Sequence, residues 1–80
     1  MIAATGTPQI DRPSPVLTER EFKILDRLAR GLPNNAISAR MGISIKTVQN
    51  NVSTIVLKLV AADRAQAVAL ARDAGMGRRP

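Results

Sequence analysis

Val48, Val52, Ile55 and Leu59 recur at intervals of four, three and four residues, the period of a helix that buries one stripe. The spacing predicts a helix over residues 45–58. Just before it, Gly42 is placed to close a preceding helix in the left-handed conformation, and Ser44 to cap the new one. Ile43 and Val48 bracket that cap as a hydrophobic staple, which sets the direction in which the chain enters the helix. Two helices joined by so short a turn make a helix-turn-helix.

The same patterns mark out the flanking elements. Thr18 with Glu21 forms a capping box, Leu17 and Phe22 staple it, and Phe22, Leu25, Leu28 and Ala29 face inward until Gly31. Leu32, Pro33, Asn34 and Asn35 connect to a short second helix supported by Ala36, Ile37 and Met41. Asp63, paired with Gln66, caps a fourth helix that runs to Ala74 and is closed by Gly75. On this last helix Ala67, Leu70, Ala71 and Ala74 share the side expected to dock on the core. A second face carries Ala65, Val68, Ala69 and Arg72. It reads either as alanines favouring helix or as a small-residue surface for close helix approach in a dimer.

The predicted fold is all-α, a four-helix domain over residues 17–75. Residues 1–16, with Pro8, Pro13 and Pro15, read as a disordered N-terminal arm or linker, and residues 76–80 as a flexible basic tail. An aromatic content of 1% within 45% apolar residues agrees with helices rather than a β-sandwich.

The chain has no cysteine and no histidine, which removes disulfides, thiolate zinc sites and the usual catalytic nucleophile and base sets. Glu19, Glu21 and Asp26 are interleaved with Arg20, Lys23, Arg27 and Arg30, the pattern of a solvated ion-pair face rather than of a catalytic carboxylate pair. No enzyme, metal or cofactor site is expected. No apolar run approaches the ~20 residues that span a bilayer, and no basic segment followed by an apolar one opens the chain, so a cytoplasmic location is expected.

A net charge of +6 and a pI near 11.5 predict attraction to a polyanion. On the third helix the face opposite the apolar stripe carries Lys46, Gln49, Asn50, Ser53 and Thr54, and no acid occurs between Ile43 and Ala62. Amides pair with adenine edges and lysines neutralise phosphates, so this face suits DNA as well as it suits plain solvent.

Leu17-Thr-Glu-Arg-Glu21, Gly31-Leu-Pro-Asn34, Ile43-Ser44, Thr47-Val48, Lys58-Leu59 and Asp63-Arg64, in this order and spacing, resemble the LuxR-type (GerE-like) DNA-binding domain. That domain is the output half of NarL-type response regulators and of autoinducer sensors. The resemblance implies a transcription regulator that binds double-stranded DNA, with the third helix in the major groove and the fourth as a homodimerisation helix on a palindromic operator. By position it implies base contacts from Gln49, Asn50 and Ser53, and phosphate contacts from Ser44, Lys46, Thr47 and Lys58. The dimer surface would be Ala65, Val68, Ala69 and Arg72.

The chain departs from the family pattern at several places. Ala36 stands where the second helix usually carries Glu, Pro33 where Ser or Thr usually starts it, and Asn51 where His is frequent. Gln49 and Ser53 occupy positions that often hold Lys or Arg, which lowers the electrostatic share of affinity. Two other readings are a protein-interaction module with weak or lost DNA binding and the promoter-reading end of a sigma factor. The capped helix after Asp63 argues against the sigma factor, since that class generally ends soon after the recognition helix.

Overall fold

The computed structural model describes residues 17–77. They form four helices: α1 (Glu19–Ala29), α2 (Asn34–Met41), α3 (Ile45–Lys58) and α4 (Arg64–Asp73). The all-α four-helix expectation and the helix-turn-helix of α2 and α3 are both realised.

Three of the four helices begin as their sequences dictate. The Thr18 hydroxyl accepts from the Glu21 N–H at 3.1 Å while the Thr18 N–H donates to the Glu21 carboxylate at 3.0 Å, a complete capping box. Ser44 accepts from the Thr47 N–H at 3.0 Å and Asp63 from the Gln66 N–H at 2.9 Å. At this last cap the Gln66 carbonyl turns to the Ala62 N–H rather than to Asp63. α2 is the exception, because its N-cap is Pro33 and no side chain satisfies its first amides. What holds α2 instead is Ile37, fully buried, with the Ser38 hydroxyl donating to the Ile43 carbonyl across the turn.

All four helices end alike. The chain passes through one left-handed residue, Gly31, Gly42, Val60 or Gly75 in turn. The next N–H returns to a carbonyl in the last turn, as in Leu32 to Arg27, Ile43 to Ser38, Ala61 to Val56 and Met76 to Ala71. Val60 does at φ 55° what glycine does elsewhere. A β-branched residue there costs about 1–2 kcal/mol, and with 89% of its surface exposed Val60 recovers nothing by packing. Val60→Gly is therefore expected to raise stability by about 1 kcal/mol, after the extra chain entropy of glycine, and the melting temperature by a few degrees. A thermal melt checks this, and an unchanged or lowered midpoint would show that the strain is relieved some other way.

The core is one cluster built on Ile24, Leu25, Ile37, Val48 and Ile55, with Leu17, Leu28, Ala29, Val52 and Ala71 around them. α3 is its hub and packs against each of the other three helices, as its apolar stripe requires. Phe22 packs against the core as expected, half-buried, and Ile24, not singled out from the sequence, is completely enclosed. One expectation is corrected. On α4 the buried stripe is Ala67 and Ala71 alone, with Leu70 at 37% exposure, Ala74 exposed, and Val68 half-buried against the core.

The ordered chain also continues past Gly75. Met76 is buried, and the Gly77 N–H donates to the Asp26 carboxylate at 2.9 Å, so these two residues belong to the domain rather than to a loose tail. Expectations for residues 1–16 and 78–80 lie outside the described residues.

Candidate nucleic-acid interface

The side of α3 opposite the core is continuous and accessible. Lys46, Gln49, Asn50 and Ser53 are all exposed, so the structure brings together the residues expected on base edges and one of those expected on phosphates. Thr54 lies at the margin, its hydroxyl returned to the Asn50 carbonyl at 3.1 Å. Asn51 donates its amide to the Thr47 carbonyl at 2.7 Å and is half-buried, which takes it out of the outward face.

At the start of α3 the Ser44 hydroxyl is doubly engaged, accepting from the Thr47 N–H and donating to the Thr47 hydroxyl at 2.9 Å. The Thr47 hydroxyl, accepting from Ser44, keeps its own hydrogen to donate. In this arrangement Ser44 orients and Thr47 offers the bond.

Lys58 is placed otherwise than expected. Its ammonium donates to the Glu21 carboxylate at 2.8 Å, joining the end of α3 to the start of α1. The reason is burial: Glu21 is the one buried charged residue among those described, and a carboxylate out of water requires a partner. Glu21 is thus not part of a solvated ion-pair face, although Glu19 with Lys23 and Asp26 with Arg30 are surface pairs of that kind. Burial works to raise the Glu21 pKa. The hydrogen bonds from Lys58 and Thr18, with the Lys58 charge, outweigh it and hold the carboxyl below its ordinary value.

The charge of α2 and α3 has one sign. From Arg27 to Ala62 the chain carries no acid, and Arg40 and Lys46 are exposed. The remaining described acids lie on α1 or on α4 and its cap.

On α4, Ala65 and Ala69 are exposed as expected for a contact surface. Val68 is shared with the core, and the Arg72 guanidinium donates to the Ala29 carbonyl at 2.8 Å, the end of α1. Asp63, Arg64, Ala65, Val68 and Arg72 line an open hollow of about 630 Å³ there. The Arg64 guanidinium also reaches Asn34 at 2.9 Å, tying the start of α4 to the start of α2. Among the described residues no group of three His, Cys, Asp or Glu side chains is placed to hold a metal, and no helix is long and apolar enough to cross a membrane.

An outward polar face on the second helix of a helix-turn-helix is a general arrangement; the sequence relationships make it specific. The sequence pattern described as "Bacterial regulatory proteins, luxR family" matches residues 15–71. The chain belongs to the luxR family. This luxR-family chain is similar to the transcriptional regulatory protein LnrK of Bacillus subtilis, with 42% identity over 64 residues, 78% of this chain and 29% of LnrK. It is also similar to the response regulator protein VraR of Staphylococcus aureus, with 49% identity over 53 residues, 66% of this chain and 25% of VraR. The VraR of Staphylococcus epidermidis matches to the same degree. The luxR-family chain therefore spans between a quarter and a third of the length of these relatives.

Two features of the site were not read from the sequence. The Lys58–Glu21 pair joins positions 37 residues apart, and no local pattern signals it. Leu57 is 77% exposed on the outward side of α3, a position the spacing from Lys46, Asn50 and Ser53 would have identified.

Proposed function

We propose that this domain reads double-stranded DNA by sequence and regulates transcription, as the output segment of a response regulator. The observation that carries this reading is the exposed, acid-free face of α3 in a luxR-family helix-turn-helix. α3 lies in the major groove. Gln49, Asn50 and Ser53 meet base edges, Lys46 and Thr47 meet phosphates, and Ser44 holds Thr47 in position. Lys58 serves the interior and orients α3 through Glu21.

The response-regulator reading is supported by the similarity to VraR, which carries that name and is about four times as long as the matched segment. Homodimerisation through α4 is supported by the exposed Ala65 and Ala69, small enough for two helices to approach closely. Such a dimer presents two α3 helices to half-sites of a palindrome about one helical turn, ~34 Å, apart.

Selection of binding sites from random duplexes at about 150 mM salt tests the reading, because non-specific phosphate attraction is then largely screened. A palindrome is expected. Asn50→Ala is expected to relax preference at one position, whereas Lys46→Ala weakens all duplexes alike and lowers the salt slope by about one. Recovery of no motif would point instead to a protein-interaction module. Equal scaling of specific and random affinity by both variants would overturn the division of roles.

A further inference from the structure

We propose that Leu57 is a base-reading residue that recognises the 5-methyl group of a thymine in the major groove. This rests on the placement of α3 in that groove proposed above.

Lys46, Asn50, Ser53 and Leu57 follow at intervals of four, three and four, so they form one stripe along α3. It repeats the spacing of Val48, Val52, Ile55 and Leu59 on the opposite side. Three members are polar. The fourth is a leucine that leaves 77% of its surface in water.

Base edges in the major groove present one apolar group, the thymine methyl, and an aliphatic side chain is its natural partner. Lys58, the next residue, turns to Glu21, which leaves a leucine rather than a cation at the outward position of this end of the stripe. From Asn50 to Leu57 is seven residues, roughly 10 Å along a helix, the length of about three base steps. The thymine lies about three base pairs from the base that Asn50 reads.

The experiment takes the selected duplex and replaces its thymines one at a time by deoxyuridine, which removes the methyl and leaves every hydrogen-bonding group in place. The chain is expected to lose roughly fourfold in affinity at one position, the worth of one buried methyl. That position should stand about three base pairs from the one relaxed by Asn50→Ala. Leu57→Ala should lose the same factor on the thymine duplex and no longer distinguish thymine from uracil. Its melting temperature should match that of the unaltered chain, since the side chain is exposed.

Uracil tolerated at every position, a selected site with no thymine there, or discrimination retained by Leu57→Ala would each overturn the contact while leaving the DNA-reading proposal intact. Absence of any sequence-selective binding would overturn the reading of α3 and this contact together.

Discussion

Ile55→Ala is expected to cost about 3–4 kcal/mol and to leave most of the chain unfolded at room temperature. Ile55 is completely enclosed, at the middle of the stripe that packs α3 into the core cluster. Removing its outer carbons forfeits their transfer free energy and opens a cavity in the cluster it shares with Ile24, Leu25 and Val48, which are themselves fully buried and leave little room to collapse. A single-domain core of this size supplies only a few kcal/mol in all, so one such loss is comparable to the whole. Urea titration followed by helical circular dichroism checks it. Ile55→Val, which trims one methyl, should cost only about 1 kcal/mol and stay folded. If Ile55→Ala melts like Leu57→Ala, the inward and outward sides of α3 have been assigned the wrong way round.

The second large effect lies at the turn after α4. Gly77→Ala is expected to cost about 2 kcal/mol. A Cβ there would stand 2.7 Å from the Ala29 Cβ and 2.8 and 2.9 Å from the Ala29 carbonyl carbon and oxygen, at a φ of 74° that side chains rarely adopt. Backbone is what it meets, so the clash is not relieved by turning a side chain. The chain can instead peel this turn away, which exposes Met76 and breaks the hydrogen bond from the Gly77 N–H to Asp26. That escape sets the ceiling on the cost, roughly the burial of one methionine plus one bond to a charged group. Gly75→Ala is the matching control. Its φ is also positive, at 90°, but nothing lies within 4 Å, so only the conformational strain of about 1 kcal/mol applies. Equal midpoints for the two alanine variants in denaturant would show that the approach to Ala29 is not tight.

The contrast between these sites explains how much could be read from residues alone. Helix limits were legible because caps and stops are local: Thr18, Ser44 and Asp63 begin helices, and Gly31, Gly42 and Gly75 end them, each through bonds within a few residues. The stripe on α3 was legible because its members are large and evenly spaced.

α4 was not, since its buried positions are both alanine. Val68 and Leu70 flank that stripe at roughly 80° on either side, and hydrophobicity gives no reason to prefer one. The helix rotates so that two small residues touch the core, and close approach rather than side-chain size chooses the face.

Of the candidate site, the outward placement of Lys46, Gln49, Asn50 and Ser53 followed from periodicity. The diversion of Lys58 did not, because the demand came from Glu21, a residue whose burial depends on how α1 lies against α3. Likewise Arg72 answers to the last carbonyl of α1, a group invisible until the two helices are side by side. Tertiary contacts of this kind leave no imprint on the spacing of residues within either partner.

The segregation of charge has a further consequence, which is mechanical. Every described acid belongs to α1 or to α4 and its cap, while the stretch from Arg27 to Ala62 has none. On the proposed DNA-reading function, this uneven placement of acids adds orientation to the attraction of the net charge: a polyanion would repel the acids of α1 and α4 and so favour approach by the acid-free helix pair. Orientation would then begin within a Debye length of contact, before any hydrogen bond forms. The arrangement of charge, as much as its total, governs how quickly a productive encounter is reached.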